Sequence, residues 1–142
     1  MKKSKKAILG SIAVLACATS VSVPVAAADL TVRVSGHASG PIYIALYDNE
    51  KSWKTMQTPY RVDVGTYAEG HLTTFKDLPS GRYAVSLFID ENGNKKLDRN
   101  PAGTPVEPYG ISRNAVGNFG PPEFLDAAIE LSDDIATTIN LR

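Results

Sequence analysis

The chain has 142 residues, with 15 basic and 15 acidic side chains, two histidines, one cysteine and 43% hydrophobic residues. A single cysteine excludes an internal disulfide, and two histidines without an H-x-x-x-H spacing leave zinc chemistry little support. The length suits one domain of ordinary size, and no internal repeat or low-complexity tract divides it.

The first six residues, MKKSKK, hold four lysines, and the following AILGSIAVLACATSVSVPV carries no charge. A basic start, a short apolar run and the small residues Ala26 to Ala28 spell a secretory signal peptide with cleavage after Ala28. A membrane span is the competing reading. Ser11, Thr19, Ser20, Ser22 and Pro24 interrupt the apolar run, whereas a spanning helix needs about 20 predominantly apolar residues. Cys17 closes a VLAC tetrapeptide, a poor lipoprotein box because Leu15 is bulky where a small residue is usual. Lipid anchoring through Cys17 is therefore the lesser alternative to a free periplasmic or extracellular product. Residues 29–142 form the remaining domain, with 11 basic against 15 acidic side chains (net −4), no cysteine and no apolar run long enough to span a membrane. A mildly acidic domain lacks the basic patch that nucleic acid requires.

From Leu30 onward the pattern is strand and turn. LTVRVSG (Leu30 to Gly36) and IYIALYD (Ile42 to Asp48) alternate apolar and polar residues, and YRVDVGTY (Tyr60 to Tyr67) and HLTTFKDL (His71 to Leu78) do so more weakly. Between the second and third lies the one helix candidate, Asn49 to Met56, where Trp53 and Met56 are three apart. GRYAVSLFID (Gly81 to Asp90) is the strongest strand and places Tyr83, Val85, Leu87 and Ile89 on one face. FLDAAIEL (Phe124 to Leu131) and ATTINLR (Ala136 to Arg142) complete the set, with Gly, Pro, Asn and Ser in nearly every gap. About seven short strands with period-2 patterning predict an all-β domain, a single antiparallel β-sandwich of immunoglobulin-like or prealbumin-like type.

Asp90 to Glu123 shows no strand pattern and contains Pro101, Pro105, Pro108, Pro121 and Pro122. Structureless loops beyond about 12–15 residues are usually functional or disordered. Tyr109 and Phe119 can dock on a sandwich, which predicts an ordered excursion. It opens with DENGNKKLD, in which Asp90, Asn92 and Asn94 alternate and Asp98 follows four later. Read as a calcium loop, these fill positions 1, 3, 5 and 9, with the Lys96 carbonyl at position 7. The closing half is defective. Lys95 stands where glycine makes the sharp turn, and Pro101 stands where a bidentate glutamate belongs. Lys95, Lys96 and Arg99 lower the affinity for a cation further. The competing reading is a metal-free hydrogen-bonded loop, because Asn92-Gly93 is a strong turn signal and Asn and Asp side chains form Asx turns unaided. The incomplete ligand set favours that reading and leaves calcium as a weak alternative.

Catalytic signals are sparse. His37 and His71 read as surface residues, and Ser112 lacks a G-x-S-x-G elbow. Asp98 and Glu107 are the one carboxylate pair that could serve a hydrolase, with nothing in the sequence to set their separation. PVEPYGISRNAVGNFGPPEF offers a second candidate surface. There Glu107, Tyr109, Arg113, Asn114 and Phe119, with Phe124 beyond, could form an aromatic platform with polar rims for a sugar or peptide; packing of the loop onto the sandwich is the alternative role for the same residues.

The chain from about Leu30 to its C-terminus, most densely from Phe75 to Leu131 with the LPSGRYA strand, the D-E-N-G-N-K-K-L-D loop, the G-T-P-V-E-P-Y-G-I-S-R-N run and the closing G-P-P-E-F-L-D-A, resembles the bacterial family known as domain of unknown function 2141, whose loop pattern is D-x-N-x-N-G-x-x-D. It departs from that pattern at Lys95, where glycine is usual, and at Ile89, where histidine is common. The resemblance implies an exported domain without an established activity. LPSGRYAVSLFIDENGN is also similar to prealbumin-like accessory modules, which are mostly non-catalytic. The expected function is a non-catalytic cell-envelope binding or structural module whose partner is an envelope protein or glycan. A small secreted hydrolase using Asp98 and Glu107 is the alternative.

Overall fold

The structure, a computed structural model, describes residues 26–142. The expected signal segment up to Val25, Cys17 included, lies outside the described residues. Eight strands are present among the described residues: β1 (Ala27–Ser35), β2 (Pro41–Tyr47), β3 (Arg61–Thr66), β4 (Leu72–Pro79), β5 (Gly81–Ile89), β6 (Tyr109–Ile111), β7 (Ile129–Leu131) and β8 (Ile135–Asn140). Two short helices, α1 (Glu50–Thr55) and α2 (Phe124–Ala127), accompany them. One sheet has the order β4-β1-β8 and the other β3-β2-β5-β6, with β7 paired to the opening of β5.

Period-2 patterning builds the core. Leu30, Val32 and Val34 of β1 face Ile42, Ile44 and Leu46 of β2 and Val85, Leu87 and Ile89 of β5 across the space between the sheets, and all are buried. Tyr83, Val85, Leu87 and Ile89 point inward together, as the alternation in β5 predicts. The fold is all-β with two facing sheets, and it is not wholly antiparallel. β1 and β8 pair in parallel, Leu30 opposite Ile135 through Ser35 opposite Asn140. A parallel neighbour needs a long crossover, and here the rest of the domain is the crossover.

In β4, buried Phe75 and Leu78 are three apart instead of two. Between them Asp77 adopts a left-handed φ of 54° and forms a bulge against β1, its N–H donating to Asp29 Oδ1 at 3.0 Å. One extra residue shifts the face of the strand, so both apolar side chains reach the core.

The predicted helix forms. Asn49 caps it by accepting from the Ser52 N–H at 2.9 Å, and Met56 ends it with φ 51°. Trp53 is buried in a second apolar cluster, on the outer face of the five-stranded sheet, with Tyr47, Ala84, Ile111, Phe124 and Ala127. Its ring meets Tyr47 edge-on at 5.5 Å and Phe124 at 6.4 Å. The predicted strand Phe124 to Leu131 divides in two. Phe124 and Ala127, three apart, put one helical turn against Trp53, and only Ile129–Leu131 remain extended. β6 lies inside the stretch in which no strand pattern is visible, because three residues are too few to display a period.

Candidate functional site

The Asp90 loop closes on its own side chains. Asp90 is 1% exposed. Its Oδ1 accepts the N–H groups of Gly93 (2.8 Å) and Asn94 (3.1 Å), and its Oδ2 accepts that of Lys95 (2.8 Å). Asn92 Oδ1 accepts from Asn94 N–H and Asn94 Oδ1 from Lys96 N–H, two successive Asx turns. Both asparagine amides donate to the Asp98 carboxylate, Asn94 at 2.9 Å to each oxygen. Glu107, 6% exposed, clamps the two ends of the loop: Oε1 accepts Glu91 N–H and Oε2 accepts Asp98 N–H, both at 3.0 Å. Beyond it, Asp98 to Val106 forms a small hairpin, with Val106 N–H on the Asp98 carbonyl and Asn100 capping the tip.

Of the proposed calcium ligands, Asp90, Asn92, Asn94 and Asp98 are thus brought together, each with oxygens already occupied by N–H donors. Lys96 contributes its own N–H to Asn94. No group of three or more acidic, histidine or cysteine side chains with metal-binding geometry occurs among the described residues. The sharp turn falls on Lys95, which holds φ 64° without being glycine. A Cβ there costs about 1–2 kcal/mol. Lys95→Gly is therefore expected to raise stability by about 0.5–1 kcal/mol once the extra freedom of glycine in the unfolded chain is deducted, read as a higher denaturation midpoint in urea; a lower midpoint would show that the lysine side chain contributes more than its backbone costs.

Asp98 and Glu107 are neighbours in space, but their oxygens are engaged by loop amides. The run from Tyr109 to Asn114 knits the two sheets together. A Cβ on Gly110 would sit 2.5 Å from Ile139 Cγ2, so β6 passes the other sheet at a distance only glycine permits. Ser112 is fully buried; its hydroxyl donates to the Ala127 carbonyl at 2.6 Å and accepts from Val85 N–H at 2.9 Å. Arg113 donates to the carbonyls of Leu125 and Ala128, and Asn114 bonds Asn140 N–H and the Thr138 carbonyl. Glu107, Arg113 and Asn114 therefore hold backbone, and Tyr109 lines an open cleft; Phe119, expected to dock on the sandwich, instead stands fully exposed at the edge of that cleft. Phe124 is buried beside Trp53.

That cleft has a volume of about 520 Å³ and lies between the outer face of the five-stranded sheet and the two halves of the long excursion. Strand register builds its floor. Tyr43, Phe88 and Tyr109 stand side by side across β2, β5 and β6, and Val62 of β3 joins the lining. The Tyr43 and Phe88 rings stack with centroids 5.1 Å apart and planes 9° apart, and the Arg142 guanidinium lies 5.9 Å from the centre of Tyr109. Leu97, Arg99 and Pro105 belong to one wall, and Val116, Phe119 and Pro122 to the other. Trp53 anchors the second wall through a 2.8 Å bond from its indole N–H to the Pro122 carbonyl. Lys95 and Phe119, non-glycine residues with positive φ, line the same cleft, beside the Met56 that ends α1. The alternation reading treats Tyr43 and Phe88 as solvent-side positions. The signal for the cleft is that aromatic residues occupy that side in both β2 and β5.

Among known proteins, no curated protein and no solved structure matches the chain. Residues 31–140 match the family described as an uncharacterized protein conserved in bacteria. That span covers most of the chain and contains the Asp90 loop, the Tyr109–Asn114 knot and the floor of the cleft, and the chain belongs to this family, domain of unknown function 2141.

Proposed function

We propose that the protein is an exported, non-catalytic binding module of the cell envelope, and that the cleft over Tyr43 and Phe88 is where it binds. The observation that carries this is the aromatic row Tyr43–Phe88–Tyr109 on the floor of a 520 Å³ recess. This volume lies in the range of small-molecule sites, about 300–1,000 Å³, and flat aromatic faces suit a sugar ring, an aryl group or an acyl chain. A hydrolase has less support. Asp98 and Glu107 are committed to loop amides, and the cleft is lined by no acidic or histidine side chain. Calcium likewise has less support than a metal-free loop, because Lys95 and Pro101 stand where a calcium loop has its glycine and its bidentate glutamate, and the loop is already closed by its own hydrogen bonds.

Export is part of the same proposal. Cleavage after Ala28 trims the first two residues of β1 and leaves Asp29 as the new N-terminus. Its nitrogen lies 2.8 Å from Asp134 Oδ1, so the new ammonium has a carboxylate waiting. Intact mass of the exported protein tests this directly, and an acyl adduct on Cys17 would replace it with anchoring.

The binding reading is tested with phenylnaphthylamine, a neutral aryl probe that fluoresces in apolar sites. Saturable one-to-one binding is expected for the wild type. Combined Tyr43→Ala and Phe88→Ala should weaken it about tenfold or more, since each ring removed is worth on the order of 1 kcal/mol of contact. Absence of saturable binding by the folded wild type would remove the cleft as the site.

A further inference from the structure

The charge distribution around the cleft goes further and, resting on the binding reading, names the ligand class. We propose that the cleft selects a monomeric amphipathic anion, with an apolar or aromatic body on the Tyr43–Phe88 floor and a carboxylate or phosphate held by Lys95, Arg99 and Arg142. These three cations line the recess, and no Asp, Glu, Asn, Gln or His side chain joins them. In a domain with four more acids than bases, that composition is a sharp local reversal.

The loop chemistry explains how the cations stay available. Asp90 and Glu107 accept five backbone N–H groups between them, and Asp98 accepts the amides of Asn92 and Asn94. Asp90, Asp98 and Glu107 are thereby occupied, and among the described residues neither Lys95, Arg99 nor Arg142 forms an ion pair with these or with the exposed Glu91. Arg99 and Arg142 each spend a donor on a backbone carbonyl, Gly103 at 2.9 Å and Asn114 at 2.8 Å. Those bonds hold the guanidinium groups in place and leave further N–H donors for a ligand. Arg142 is held a second time by the Tyr109 ring. Lys95 stands at the cleft with a left-handed φ of 64°, a backbone conformation that glycine adopts without strain. A neutral sugar is a poorer fit: its hydroxyls call for carboxamide or carboxylate acceptors, and the lining supplies none.

Two probes with the same aryl body separate charge from shape: anilinonaphthalene sulfonate, an anion, and neutral phenylnaphthylamine. The anion is expected to bind about tenfold or more tightly, in line with charge-assisted hydrogen bonds being roughly twice as strong as neutral ones. Arg99→Gln and Lys95→Gln should each lower its affinity several-fold and that of the neutral probe by much less, with the circular dichroism spectrum intact; an equal loss for both probes would show that the side chains act by shape and overturn the anion assignment. Decanoate should displace the anionic probe and decanol should not. Equal affinity for the two probes, or equal displacement by decanol, would overturn the anion assignment while the cleft stands. If neither probe binds the folded protein, the cleft reading itself falls and the assignment with it. Binding to anionic vesicles that decanoate cannot displace would place the charge recognition on a membrane surface instead, and would also overturn the assignment.

Discussion

Trp53→Ala should lower stability by about 3–5 kcal/mol, the usual cost of emptying a buried aromatic site. For a domain of this size that amounts to a melting temperature lower by about 10–20 °C. The ring is 1% exposed and holds together the cluster outside the five-stranded sheet, touching Tyr47 and Phe124. It also donates to the Pro122 carbonyl, so the two contributions can be separated. Trp53→Phe keeps most of the apolar contact and removes only the donor. It should cost about 1–2 kcal/mol and weaken probe binding disproportionately, because the wall from Ala115 to Pro122 loses its anchor. A Trp53→Phe variant that melts lower but binds phenylnaphthylamine with unchanged affinity would show that the wall is held by other contacts.

Asp90→Ala should be the most damaging change in the long excursion. Three N–H groups lose their acceptor at once. Each unsatisfied buried donor costs about 1–3 kcal/mol, but Gly93, Asn94 and Lys95 are exposed enough to turn to water, so a total of about 2–4 kcal/mol is expected. Limited trypsin digestion gives the sharper readout. Cleavage after Lys95, Lys96 and Arg99 should accelerate well before global unfolding, since the loop opens locally when its clamp is gone. Glu107→Gln should produce a milder version, because one of its two oxygens remains to accept Glu91 or Asp98 N–H. The wild type should melt at the same temperature in EDTA and in millimolar calcium. A rise of several degrees with calcium, abolished by Asp90→Ala, would establish a metal in the loop after all, since a ligand at a hundredfold excess over Kd adds about 2.7 kcal/mol.

Local chemistry made some of this architecture readable in one dimension. Alternation in β1, β2 and β5 marks strands with one face against the opposite sheet, because period 2 is a property of the extended backbone wherever it lies. Trp53 and Met56, three apart, mark α1, since that spacing is contained within one turn. The Asp90–Asn94 loop is readable for the same reason: its Asx turns close between residues two to five apart. Family membership also follows from the residues alone, through several motifs in a fixed order.

What the tertiary structure decided involves partners that are distant in sequence. Glu107 reads in the sequence as one half of a carboxylate pair with Asp98, and only the fold shows it clamping Glu91, sixteen residues away. Ser112 and Gly110 carry no signal of their own, and acquire roles only because β8 passes against β6 and α2 returns to β5. The parallel pairing of β1 with β8 joins the two ends of the domain, and no window of sequence contains both. The cleft is the furthest from one-dimensional reading. Its floor exists because the registers of three strands set Tyr43, Phe88 and Tyr109 in one row, and the cations on its lining form no ion pair with the acids of the loop. Alternation tells which face of a strand is buried in the core; only the assembled sheet tells what the other face is for.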